Sequence, residues 1–181
     1  MIDVKRIMVM GVSAGVGKST FARELGKILE IDVYHLDRLY WKPNWIEASL
    51  DEFTTSQQRV VKHDRWIIEG NYNRTYDIRA QRADTIIYLE LPLLVCLYRV
   101  FKRWIIHIGK TRPDMGEDCK EKLDYQFLKY IFTTYRRRKK QMRDRFQELI
   151  ENNSEIKVVI LNSKTQIQAY LEALSQCEVD D

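Results

Sequence analysis

Cysteine, proline and long apolar runs are all scarce in this 181-residue chain. The three cysteines, Cys96, Cys119 and Cys177, are odd in number and far apart. Their spacing excludes a disulfide scaffold, a CxxC redox pair and a thiolate metal site, and it predicts a reduced, cytoplasmic protein. With three prolines and seven glycines there is no low-complexity linker, and no internal repeat divides the chain. One domain over residues 1–181 is expected. The longest apolar tract, "TIIYLELPLLVCLY", is broken by Glu90 and Pro92, which argues against a membrane span. The first residues, "MIDVKRIMVMG", lack the pattern of a secretory leader. Charge of one sign is also limited. The net value of +4 helps to hold a polyanion but does not by itself argue for nucleic acid.

What is present is an alternation of strand and helix patterns. "KRIMVM" reads as a buried strand ending at Gly11, and Phe21, Leu25, Ile28 and Leu29 recur at helical spacing after it. "DVYH" reads as a second strand. Ser49 with Glu52 forms a capping-box signature before a helix over about 50–63. "RWIIE" and "DTIIYLEL" read as buried strands, and Pro92 opens a helix. "GKTRPDMGEDCK" is the most loop-like stretch, a lid over about 109–120. A long helix over about 123–151 follows, then the strand "IKVVILN", then a helix capped by Ser163 and Gln166. This alternation predicts an α/β fold with a parallel sheet covered on both faces.

Between the first strand and helix lies "GVSAGVGKST", Gly11 to Thr20. A phosphate-binding loop normally has four residues between its first glycine and Gly-Lys-Ser/Thr. That glycine would fall at position 12, where Val12 stands, and Gly11 precedes it. Gly15, Val16, Gly17, Lys18, Ser19 and Thr20 keep the rest of the pattern. Backbone N–H groups there turn inward around phosphate oxygens, and the helix N-terminus adds partial positive charge. Lys18 is placed to reach the β- and γ-phosphates, and Ser19 to hold Mg²⁺. The expected ligands are ATP and Mg²⁺, on a loop one residue longer than usual.

"GVSAGVGKSTFARELG", "VYHLDRLYWKPNW", "WIIEGNY" and "ADTIIYLELPLLVCLYRVFKR" together resemble the topology modulation (FlaR-like) proteins, small relatives of adenylate kinase. The resemblance runs over nearly the whole chain. It implies the P-loop kinase fold, with a five-stranded parallel sheet ordered 2-3-1-4-5 and a small lid. It also implies ATP-dependent phosphoryl transfer to a small acceptor, most simply a nucleotide or nucleoside, by a monomer or homodimer. The alternatives are a non-nucleotide metabolite as acceptor, or DNA as partner, as the family's name suggests.

In kinases of this fold the acceptor sits near the carboxyl end of the second strand, in keeping with the crevice rule for open sheets. That places an acceptor segment over about 37–64. Asp37 suits an orienting group or base. Tyr40, Trp41 and Trp45 suit stacking on a base or sugar, or else they pack a subdomain. His35 reads as a structural histidine. By resemblance, Glu69 is a second acid near Mg²⁺, Gly70 lets the acceptor approach, and Arg74 binds an anionic group. Asn71-Tyr72 departs from the Phe-Pro of adenylate kinases. Arg99 and Arg103 share a helix face, and Arg112 lies in the lid; each suits phosphate oxygens or a nearby carboxylate. Asn162 and Ser163 lie where relatives grip adenine. "YRRRKKQMRDR" holds seven basic residues between Arg136 and Arg145, a solvated helix face or a polyanion contact.

Overall fold

The structure is a computed structural model describing residues 4–152 and 155–179. Its elements run β1 (Arg6–Gly11), α1 (Lys18–Leu29), β2 (Val33–His35), α2 (Leu36–Tyr40), β3 (Trp41–Lys42), β4 (Ile46–Glu47), α3 (Leu50–Val60) and β5 (Trp66–Glu69). There follow α4 (Tyr76–Ala80), β6 (Thr85–Leu89), α5 (Leu93–Ile106), α6 (Tyr125–Asn152), β7 (Lys157–Leu161) and α7 (Lys164–Val179).

Five strands form one parallel sheet in the order β2-β5-β1-β6-β7. Without the short β3–β4 hairpin in the count, this is the order 2-3-1-4-5. Side chains alternate across a strand, yet Ile7, Met8, Val9 and Met10 of β1 are all buried. Both faces of the sheet are therefore covered, which is why the parallel strands read as unbroken apolar runs. On the helical layers α1 packs with α7 and α5 with α6. Ser49 accepts from the Glu52 N–H while the Glu52 side chain accepts from the Ser49 N–H, so the capping box of α3 forms as its sequence predicts.

Three differences from the sequence expectation are local. The helix over about 50–63 stops at Val60, and the long helix starts at Tyr125. The acceptor segment contains α2 and an antiparallel hairpin, β3 with β4, that no periodicity signalled. α4 is likewise short and unforeseen. The lid has no helix; single bridges, Ile108 with Glu121 and Thr111 with Lys120, close it at its base.

Candidate phosphate and acceptor site

The extra loop residue has a structural cause. Val12 is fully buried and its N–H donates to the Leu89 carbonyl at 2.9 Å, so it extends the pairing of β1 with β6. The loop proper then starts from the strand edge. A Cβ on Gly11 would stand 2.5 Å from Val16 Cγ1 and 3.0 Å from Lys18 Cγ, so the displaced glycine is the one the loop must close over. Gly15 has φ +76°, and a Cβ there would collide with the Cys96 carbonyl of α5. Gly17 caps α1 without a side-chain bond, and the first turn of α1 has no acidic residue. No acidic side chain of α1 itself thus occupies the helix N-terminus, which leaves its N–H groups to a phosphate.

Asn71 completes this arrangement. Its Nδ2 donates to the Gly11 carbonyl at 2.7 Å and its Oδ1 accepts from the Gly11 N–H at 3.0 Å. The side chain mimics one more residue of β5 pairing with β1. The two departures from the usual pattern, Gly11 and Asn71, therefore hold each other.

Charged groups converge beside the loop at the carboxyl ends of β2 and β5. Glu69, the last residue of β5, is buried and faces three partners. Ser19 Oγ donates to Glu69 Oε2 at 3.2 Å, Lys18 Nζ lies 3.8 Å from Oε1, and His35 Nδ1 lies 2.9 Å from Oε2. The structural reading of His35 thus gains a partner. Asp37, half-buried on α2, accepts a 2.7 Å bond from the Tyr72 hydroxyl. Burial, and then the neighbouring Glu69 carboxylate, push the Asp37 carboxyl above its ordinary range against the opposing pull of Tyr72, Lys18 and Arg112. Tyr72 in turn is raised by burial and by Asp37. Arg79, wholly buried on α4, donates to the Gly70 and Tyr72 carbonyls at 3.1 and 2.9 Å and fixes this turn. Burial lowers it to about 10.

The arginines come from α5 and the lid. Arg112 Nε donates to Glu121 at 2.7 Å and its Nη1 to Asp114 at 2.7 Å, while Arg103 Nε donates to the other Glu121 oxygen at 2.9 Å. Glu121 thereby clamps Arg103 and Arg112 together. Arg99 Nη1 donates to the Val16 carbonyl at 2.8 Å and braces the loop. Sequence reasoning missed Tyr72, Asn71, Arg79 and Glu121 as site-building residues. For Asn71 and Tyr72 the signal was the departure from Phe-Pro itself.

One cleft of about 1530 Å³ joins these groups. The residues expected to hold phosphate, metal and acceptor or to act in catalysis line it: Gly15 to Thr20, Asp37, Trp41, Glu69, Gly70, Arg74, Arg103 and Arg112. Arg138 does so too, alone among the seven basic residues between Arg136 and Arg145. Asn162 and Ser163 do not; the Asn162 N–H and Ser163 hydroxyl are taken up by Gln166, and the cleft is walled one turn later by Lys164, Ile167 and Gln168. The residues present fit MgATP: a glycine cradle that side chains would fill, an uncapped helix N-terminus, a lysine, and a hydroxyl held by an acid.

No protein-family model and no curated protein matches the chain. Solved structures do. Shikimate kinase from Acinetobacter baumannii, in complex with shikimate, superposes with a TM-score of 0.55 at 12% identity, covering 98% of this chain and 94% of that one. A gluconokinase from Sinorhizobium meliloti gives 0.51 at 15% identity, covering 97% and 95%. A protein from Chloroflexus aurantiacus described as a putative kinase gives 0.50 at 10% identity, covering 96% and 98%. At these identities the likeness is one of fold, and the fold is that of the P-loop kinases.

Proposed function

We propose that this chain is a magnesium- and ATP-dependent phosphotransferase acting on a hydroxyl group of a small acceptor. The observation that carries the reading is Asp37. A carboxyl held above its ordinary range stands in the cleft that the glycine loop opens into, fixed by the Tyr72 hydroxyl. An acceptor that is already a phosphate needs no base. A hydroxyl acceptor gains from a group that orients it and takes its proton, and a raised pKa brings that group nearer to working pH. The finer kinship, with the topology modulation proteins, rests on the quoted motifs and belongs to this proposal.

Bound MgATP supplies the phosphoryl group. The backbone from Gly15 to Thr20 would hold the phosphates, and Lys18 would neutralise their charge. Ser19 would hold the metal, and Glu69, which accepts from the Ser19 hydroxyl, would keep that hydroxyl in place and add negative charge beside the ion. Asp37 orients the acceptor hydroxyl and accepts its proton. Arg103 and Arg112, held together by Glu121 beside the cleft, would supply positive charge to the transferring group, and the lid that carries Arg112 would exclude water. Gly70 gives the acceptor room, and Arg74 meets an anionic or polar edge of it. The work is positioning and charge stabilisation.

The test is MgATP binding by calorimetry together with phosphoryl transfer to a panel of nucleosides, nucleoside monophosphates, gluconate and shikimate. Lys18→Ala should weaken binding at least tenfold or abolish turnover in a folded protein. Unchanged MgATP affinity in that variant would overturn the reading. A panel in which monophosphates alone are used would remove the role of Asp37.

A further inference from the structure

Resting on that reading, we infer that Trp41 and Trp45 form an aromatic wall that selects a nucleoside as the acceptor. The hairpin that carries them is strained. Asn44 and Trp45 both adopt left-handed backbone, φ 61° and φ 64°. For a bulky residue such as Trp45 this conformation is costly and persists only where its surroundings impose it. Core packing does not account for it. Tyr40 and Tyr72 pack against the hydrophobic core, whereas Trp41 and Trp45 stand outside it, half-exposed on the cleft.

The wall is nonetheless fixed. The Trp45 indole N–H donates to the Lys120 carbonyl of the lid at 3.1 Å, and the Lys122 ammonium lies 5.2 Å from its ring centroid. Trp41 meets Trp45 edge-on with centroids 5.3 Å apart. Nearby, the Cys119 thiol of the lid donates to the Lys42 carbonyl of the hairpin at 3.4 Å. Hairpin and lid thus join in one surface on the cleft.

Its chemistry and the room beside it define that partner. Indole faces stack on flat rings such as a nucleobase. Ligand sites for a single small molecule fall in a range of about 300–1,000 Å³. The cleft, at about 1530 Å³, leaves space for a second nucleoside-sized molecule beside ATP. Asp37 on the same cleft suits a hydroxyl, which the sugar of a nucleoside offers beside a flat base. An open-chain polyol acid has no face to set against the indoles.

The experiment compares adenosine, guanosine, cytidine and thymidine with gluconate and shikimate, using wild type, Trp45→Ala, Trp45→Phe and Trp41→Ala. The best acceptor should be a nucleoside. Trp45→Ala should raise its KM about tenfold or more while the KM for ATP stays within twofold, and Trp45→Phe should recover most of the loss. In parallel, nucleoside without ATP should quench the indole fluorescence of wild type. Gluconate or shikimate outrunning every nucleoside overturns the inference. So does a nucleoside KM within twofold of wild type in Trp45→Ala, or an absence of nucleoside quenching where turnover is too slow to measure. Failure of wild type itself to bind MgATP would strike the kinase reading instead, so the two failures are distinct.

Discussion

Asp37 is where function and stability pull against each other. Its carboxyl titrates higher in the folded chain than in the unfolded one, because burial and Glu69 disfavour its charge. Such a group favours the folded state below its unfolded pKa, and that contribution is lost as pH rises through the folded pKa. Asn cannot ionise but still accepts the bond from Tyr72. Asp37→Asn should therefore melt close to wild type in acid and above it at neutral pH. The gain is roughly 2–4 °C for each kcal/mol of strain released. The same variant should retain MgATP binding and lose phosphoryl transfer by 10²-fold or more, on the order of a general base's contribution. Melting curves at several pH values check the first half and initial rates the second. A neutral-pH melting point below that of wild type would mean that the ionised carboxylate stabilises the fold. In wild type the acid limb of the rate profile should lie above the ordinary carboxylate range. Asp37 itself was legible from its place after a strand; the Tyr72 bond that fixes it was not, since it joins residues 35 apart in sequence.

At the scale of elements, the strand–loop–helix unit was readable because each part has a local cause: an apolar run, glycines, then helical periodicity. The hairpin β3–β4 escaped because two-residue strands carry no period, and its tip takes left-handed backbone at Asn44 and Trp45 with no glycine to mark it. α4 escaped for the same reason of length. The displaced Gly11 looked like a defect in the motif, and the structure gives it a purpose. Deleting Val12 restores the familiar spacing yet removes a fully buried side chain and the bond to Leu89. It also shifts Gly11 from the register that Asn71 grips. Burial of a valine is worth about 1.5–3 kcal/mol and the bond about 1 kcal/mol. The deletion should lower stability by about 2–4 kcal/mol in denaturant titrations and abolish nucleotide binding. A deletion variant that binds MgATP normally would show that the longer path is incidental.

Over the whole molecule, the question is how the positive charge is used. The basic stretch of α6 looked like one surface in sequence, but a helix spreads consecutive side chains round its axis. Arg143 and Lys139 pair with the buried Glu90 at the end of β6, at 2.7 and 3.0 Å, and so latch α6 to the sheet. Arg145 lies 4.3 Å from the Tyr76 ring centroid. Arg138 faces the cleft. Arg136, Arg137 and Lys140 are left exposed. Alanine at those three should leave phosphoryl transfer within twofold, whereas Arg138→Ala should lower it tenfold or more. Arg143→Ala should act through stability, because it leaves Glu90 with a single partner, and should lower the melting point with little change in KM. A DNA-binding role predicts another pattern. Each of the three exposed residues would weaken binding by a similar amount when neutralised, and the log–log salt slope would fall by roughly one for every phosphate left without its cation. Uneven effects on transfer rate, concentrated on Arg138, are the expected result. A graded weakening of tight DNA binding at physiological salt, with no phosphoryl transfer to any small acceptor, would reassign this charge to nucleic acid.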